Sequence, residues 1–247
     1  MVAVKEREKK MNGRTYADHT VVVSGRVTEV DLRYSPAGTA ILRVGLAGED
    51  ARPYYLTVKA LKERAEAWAD RLKTGMPLLA EGTLSQYKTQ EGRVYTGILA
   101  RRLHLVDPEA TGASGPDARG NVREVPGVNL FVGRGWVVRV EERTPTLVVA
   151  RVRFQTGGPR DERGYAPSAF VDVKAFDEVA KDLKKAKEGQ PLFVQGRLRV
   201  DAWEGKDGKR YDLRVEALFV KPLLAGREEA ERDESLGEFP PEEDLPF

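Results

Sequence analysis

The sequence predicts an all-β protein of two five-stranded barrels in tandem, each with one helix, followed by a disordered acidic tail. Three observations predict it. First, the chain repeats itself. Val21-Val22-Val23-Ser24-Gly25-Arg26-Val27 matches Asn129-Leu130-Phe131-Val132-Gly133-Arg134-Gly135, with the Gly-Arg pairs offset by 133 − 25 = 108. Thr39-Ala40-Ile41-Leu42-Arg43-Val44 matches Leu147-Val148-Val149-Ala150-Arg151-Val152 at the same offset, and Leu79-Ala80-Glu81-Gly82-Thr83-Leu84 matches Phe193-Val194-Gln195-Gly196-Arg197-Leu198 at 114. Second, each copy alternates apolar and polar residues at the period of two that half-buried strands need, and one stretch per copy switches to helical spacing. Third, residues 225–247 hold nine acids against Arg227 and Arg232, a net of 2 − 9 = −7, with Pro240, Pro241 and Pro246 opposing helix.

The elements follow in order. Residues 1–18 read as a disordered leader; the run Lys5-Glu6-Arg7-Glu8-Lys9-Lys10 lacks the apolar stretch of a signal peptide. The first copy, 19–107, has strands near 20–30, 40–47 and 54–60. A helix then carries Leu61, Ala65, Trp68 and Leu72 at helical spacing, which assigns Trp68 to the core. Strands near 78–87 and 94–106 form a hairpin around Gln90-Glu91-Gly92. Residues 108–127, rich in Gly, Pro, Ala and charge, read as a linker. The second copy, 128–224, repeats the plan with strands near 128–140, 147–156 and 169–175, a helix over 177–187 showing Val179, Leu183 and Ala186, and strands near 192–203 and 210–221. The offset grows because the second copy has a longer Gly/Pro/charged loop after its second strand, where insertions are tolerated. Three strands, a helix and two strands is the order of the OB-fold, a five-stranded Greek-key barrel. A parallel α/β fold would need a helix between most successive strands, and a sandwich would not explain one helix at the same place in both copies.

Alternation along the strands selects an outward face. In the first copy Leu56, Val58 and Ala60 point inward, leaving Tyr55, Thr57 and Lys59 outside, and Leu42 and Val44 leave Arg43 outside. Tyr87 is outward on the fourth strand. In the second copy Phe170, Asp172 and Lys174 are outward, as are Arg151, Arg153 and Gln155, and then Arg197, Arg199 and Trp203. Aromatic rings interleaved with Lys and Arg on a strand face are what unpaired nucleic acid requires, because bases stack on the rings and the cations follow the phosphates. Any one of these aromatics would by itself be read as core or as β-propensity. Their recurrence at matched positions in both copies is what points to a binding face.

The net charge of +2 hides an asymmetry: removing the −7 tail leaves +9 on residues 1–224. A basic body suits a polyanion and an acidic tail suits a protein partner. The tail should also compete with nucleic acid for the body at low salt. Its last six residues, Glu242, Glu243, Asp244, Leu245, Pro246 and Phe247, put an apolar end on an acidic tip, suited to a basic-rimmed apolar pocket on a partner. The plain alternative is a solubilising tail. The absence of cysteine excludes disulfides and thiolate chemistry and fits a reducing cytoplasm. No apolar run approaches the length of a membrane span. There is no phosphate-binding Gly-x-x-x-x-Gly-Lys-Ser/Thr loop, no His-Glu-x-x-His and no Gly-x-Ser-x-Gly. His19 and His104 lie on different strands, so neither a metal site nor an enzyme is expected. A protein-interaction scaffold and an RNA-binding module stay open as alternatives, since OB-folds serve all of these.

Three pieces carry a family resemblance: Arg33-Tyr34-Ser35-Pro36-Ala37-Gly38-Thr39-Ala40 after the first strand, the strand Glu81-Gly82-Thr83-Leu84, and the terminal Glu-Glu-Asp-Leu-Pro-Phe. Through them the chain resembles bacterial single-stranded DNA-binding proteins of the two-OB-fold Deinococcus–Thermus type, over residues 19–107, 128–222 and the tail. The resemblance implies binding of single-stranded DNA without sequence specificity and without catalysis, cofactor or metal. It further implies a homodimer of four OB-folds, a tip that recruits replication, recombination and repair proteins, and a cytoplasmic, nucleoid-associated protein. Carried over by position, its base-stacking aromatics fall on Tyr55, Phe170, Phe176 and Trp203, and its first-strand motif adds Arg33 and Tyr34 to the contacts. The first copy departs from the pattern, with Leu61 in the place matched by Phe176 and Thr89 in that of Trp203, so that Tyr87 is the substitute; its hairpin over 48–53 is also short. The second copy keeps a long loop with Tyr165 but has Arg143-Thr144-Pro145-Thr146 where the first has Arg-Tyr-Ser-Pro. The copies are therefore expected to bind unequally, the second being the stronger stacking platform.

Overall fold

The computed structural model describes residues 14–49, 53–88, 94–106, 127–161, 164–205 and 208–223. In chain order these form β1 (Arg14–Ala17), β2 (His19–Tyr34), β3 (Ala40–Glu49), β4 (Pro53–Leu61), α1 (Glu63–Ala69), β5 (Pro77–Lys88) and β6 (Val94–Leu105). The second half continues with β7 (Asn129–Thr144), β8 (Leu147–Pro159), β9 (Ser168–Phe176), α2 (Asp177–Leu183), β10 (Pro191–Gly205) and β11 (Gly208–Pro222).

Barrel one closes through antiparallel β2–β3, β3–β4, β5–β6 and β2–β5 ladders and one parallel β4–β6 pairing. Barrel two repeats this with β7–β8, β8–β9, β10–β11, β7–β10 and parallel β9–β11. Closure removes the open edges a sheet would otherwise present. The inward residues of the alternating strands fill each barrel: Leu42, Val44, Leu56 and Val58 with Leu84 and Ile98 in one, Val152, Phe154, Val171 and Val173 with Leu198 and Val215 in the other. The repeated glycine of the fourth strand has a steric cause. β5 and β10 each bulge there, at Glu81/Gly82 and Gln195/Gly196. A Cβ at Gly82 would run into the Leu99 carbonyl, and one at Gly196 into that of Glu216.

Two expectations need correction. Residues 14–17 are not leader: they form β1, which pairs antiparallel with β8 along Thr156–Pro159. Asp18 then locks the crossing, its Oδ2 accepting from the Gln155 N–H at 3.0 Å. The helices are also shorter than the spacing suggests, seven residues each. Leu61 belongs to β4 and Leu72 is buried beyond the end of α1, so apolar residues at helical spacing were supplied by three consecutive elements.

The two barrels are joined by a direct β2–β7 ladder from His19↔Gly133 to Val23↔Asn129. Val22 and Leu130 are equivalent in the repeat (130 − 22 = 108) and pair with each other. An approximate two-fold axis therefore passes through that pair. Around it, the buried Tyr54 donates its hydroxyl to the carbonyls of Ser24 at 2.5 Å and Val128 at 3.1 Å. Two buried side chains complete the junction. His19 Nε2 accepts from the Leu84 N–H at 2.7 Å, so its ring proton sits on Nδ1, 3.1 Å from Asp18 Oδ1. Asn129 does the corresponding work in barrel two, accepting from the Leu198 N–H at 2.8 Å and donating to its carbonyl at 2.9 Å. Leu84 and Leu198 are equivalent positions, where the fourth strand has just left its ladder with the first and its backbone needs another partner.

Candidate nucleic-acid interface

On barrel one the outward residues of β3, β4, β5 and β6 converge. Arg43 stands directly across from Lys59, and Tyr87 directly across from Tyr95. The two tyrosine rings stack with centroids 5.4 Å apart and planes 17° from parallel. Lys59 reaches across β6 until its Nζ is 3.2 Å from the centre of the Tyr87 ring. Tyr55, on the same face of β4, is 68 % exposed. Burial, aided by the neighbouring Arg43 charge, brings the Lys59 ammonium down from 10.5 to about 8. Burial raises the Tyr87 phenol, which stays neutral. Arg43 has no hydrogen-bond or ion-pair partner among the described residues, since Asp31, in register with it, is taken by Arg33 Nε at 2.7 Å. The result is an open patch of two cations and three tyrosines.

Tyr95 was not singled out from the sequence, although it mirrors Tyr87 across the hairpin; the signal was the equal spacing of both from the turn. Tyr34 separates from the patch. It shares the inward parity of Leu32, and at the barrel end its hydroxyl lies 3.4 Å from Glu66 Oε1 on α1.

Barrel two presents a different surface. Arg151 pairs with Asp172 at 3.0 Å, Lys174 with Asp201 at 3.4 Å and Arg199 with Glu216 at 3.5 Å, while Arg214 contacts Asp201. Arg199 was expected outward and exposed. It is on the outer face but only 8 % exposed, as is Arg214 across the ladder from it. Burial lowers Arg214, and Asp172 and Glu216 oppose that shift. Arg197 is half-buried in register with Glu216, and Arg153 half-buried in register with Phe170. Phe170 is held at the junction, where the Gln86 side chain of barrel one bonds both its N–H (2.9 Å) and its carbonyl (2.7 Å). Phe176 is 44 % exposed at the start of α2. Trp203 sits on β10 opposite Arg210, but its side chain lies outside the described residues, as do the tip residues 242–247. Gln86, next to Tyr87 on β5, ties barrel one to the backbone of Phe170.

Among the described residues no cluster of three or more His, Asp or Glu could hold a metal, and no helix is long and apolar enough to cross a membrane.

Comparison with known proteins gives one consistent picture. The model of the single-strand binding protein family matches residues 18–105 and 138–223. The chain is 33% identical over 250 residues to a single-stranded DNA-binding protein of Thermus aquaticus, covering 88% of this chain and 93% of that one. To the protein of that name from Deinococcus radiodurans it is 28% identical over 233 residues, covering 85% and 76%. A crystal structure of a deletion variant of the Thermus aquaticus single-stranded DNA binding protein is similar with a TM-score of 0.64 at 25% identity, over 92% of this chain and 98% of that one.

Proposed function

The chain belongs to the single-strand binding protein family, and on that premise we propose that it binds and protects single-stranded DNA without sequence specificity. The observation that supports this most is the open patch of barrel one, Arg43 and Lys59 beside the stacked Tyr87–Tyr95 pair. Bases stack on such rings for about 1–3 kcal/mol each. Duplex DNA keeps its base faces covered, so stacking selects unpaired strands, while the cations add a salt-dependent phosphate term. In this reading Tyr55, Phe170, Phe176 and Trp203 also stack bases. Arg33, Arg151, Arg153, Lys174, Arg197 and Arg199 follow the phosphates. The protein acts by binding, with neither catalysis nor a cofactor. Residues 19–107 and 128–224 are its two binding units, joined by 108–127.

Two chains pair to give four barrels. What supports this is the sheet β6-β5-β2-β7-β10-β11 that runs through both barrels, with Val22, Leu130 and the touching Phe193 and Phe219 rings on its outer face; Leu130 and Phe219 are 37 % and 47 % exposed. The tip at 242–247 recruits proteins of replication, recombination and repair, which places the protein with the DNA in the cytoplasm.

The test is titration of the full chain with labelled oligo-dT beside a duplex of equal length, at two salt concentrations. Tight binding of the single strand that survives the higher salt is expected. Equal binding of both that vanishes with salt would leave only a basic surface.

Lys59 makes the binding pH-dependent. Its ammonium is lost as pH rises through about 8, whereas a phosphate beside it favours the charged form. Affinity for oligo-dT is therefore expected to fall between pH 7 and 9.5 more steeply in the natural chain than in Lys59→Arg. For stability the sign is opposite. The depressed value penalises the fold below about pH 8, and the penalty fades as pH climbs towards 10.5. Denaturant titrations over that range measure it.

A further inference from the structure

The two barrels differ at the positions that would touch a strand, and the difference is chemical. The ladder that places Tyr87 opposite Tyr95 in barrel one places Asp201 opposite Asp212 in barrel two. Ser85 opposite Gly97 becomes Arg199 opposite Arg214, and Thr83 opposite Leu99 becomes Arg197 opposite Glu216. On the third strand Thr57 becomes Asp172. Among the described residues, barrel one thus offers rings and cations, Arg43 and Lys59, with no carboxylate partner, whereas barrel two offers cations that meet carboxylates of its own sheet.

The pairing is a lattice rather than a set of isolated surface bridges. Parallel pairing puts Arg214 beside Asp172 and Lys174 beside Glu216. Asp201 contacts both Lys174 and Arg214, and Asp172 holds Arg151. Each carboxylate occupies the space beside a cation that a phosphate oxygen would take. Two of the cations, Arg199 and Arg214, are buried, so the exchange of carboxylate for phosphate there is screened by water less than at an exposed bridge.

We propose that Asp172, Asp201 and Glu216 act as internal phosphate mimics that hold the face of barrel two closed, so that a single strand engages barrel one first and enters barrel two only by displacing them. This rests on the single-stranded DNA reading above and makes barrel one, not barrel two, the stronger platform.

The test uses the full chain and two oligo-dT lengths, about 8 nucleotides to fit one barrel and about 30 to reach both, within the range of site sizes known for such folds. Asp172→Asn with Asp201→Asn removes two mimics while keeping shape and hydrogen bonding; Glu216→Gln is the second variant should the first melt early. The 30-mer is expected to bind about three- to tenfold tighter to the asparagine variant, with a steeper salt dependence because more phosphates are neutralised. Tyr55→Ala should cost the 8-mer more than Phe170→Ala does. Unchanged or weaker binding of the 30-mer by folded variants, or a larger 8-mer loss at Phe170, overturns the proposal. Failure of the natural chain to bind either length would instead overturn the single-stranded DNA reading itself.

Discussion

Replacing Tyr87 and Tyr95 together with alanine is expected to weaken oligo-dT binding by roughly tenfold to a hundredfold, in line with about 1–3 kcal/mol for a lost stacking platform. The rings stack on each other across neighbouring strands and one carries the Lys59 ammonium over it, so they form one rigid surface and one substitution would leave the other ring to compensate. The loss should be confined to the unpaired strand. Duplex binding, which has only the charge term, should change little. Tyr95 is 42 % exposed and Tyr87 half-buried, both outside the barrel core, so the fold should tolerate the change. Fluorescence anisotropy with labelled oligo-dT, beside a melting curve, separates the two effects. Unchanged affinity would remove this patch from the binding site.

His19→Ala should destabilise the protein by about 2–4 kcal/mol, through a buried donor left without a partner and a cavity. The imidazole is 4 % exposed, accepts the Leu84 N–H, and lies 5.6 Å and 5.5 Å from the Phe131 and Phe154 rings of the other barrel. It bonds the backbone of barrel one and packs on rings of barrel two, so its loss strikes the junction from both sides. His104, exposed on β6, provides the control, its alanine variant staying within about 0.5 kcal/mol. Urea unfolding of both variants measures the difference. Equal midpoints would mean the junction adds nothing to stability.

Much of the fold could be read along the chain because strand alternation is local. Leu56, Val58 and Ala60 alternate with Tyr55, Thr57 and Lys59, and the pleat turns that order into an inside and an outside wherever the strand finally sits. The repeat did the same for topology, since one helix at the same place twice leaves few arrangements. The four residues of β1 escaped because Arg14–Ala17 carries no alternating apolar pattern and is held by backbone pairing to β8. The helices were overextended because Leu72 and Ala186 are buried beyond the helix ends, while Leu61 fits the helical spacing from the last position of β4.

The candidate face divides in the same way. Which residues point outward was legible from the alternation, and Arg43, Lys59, Tyr55 and Tyr87 lie on one face of barrel one. Which outward residues neutralise each other was not. Asp172 meets Arg214 only because β9 and β11, some forty residues apart in sequence, pair in parallel with a particular register. An outward arginine on β10 looks the same in sequence whether a carboxylate or a phosphate answers it.

By itself, then, the sequence determined the two barrels, their strand faces and the division between a basic body and an acidic tail, because these depend on period, repeat and net charge. Tertiary structure alone decided that β2 and β7 fuse the barrels about the Val22–Leu130 pair, that His19 bonds in its own barrel and packs on rings of the other, and that outward cations of barrel two meet carboxylates of their own sheet. Those outcomes depend on register between distant strands, and register is chosen by the packing of the whole barrel rather than by any segment of it.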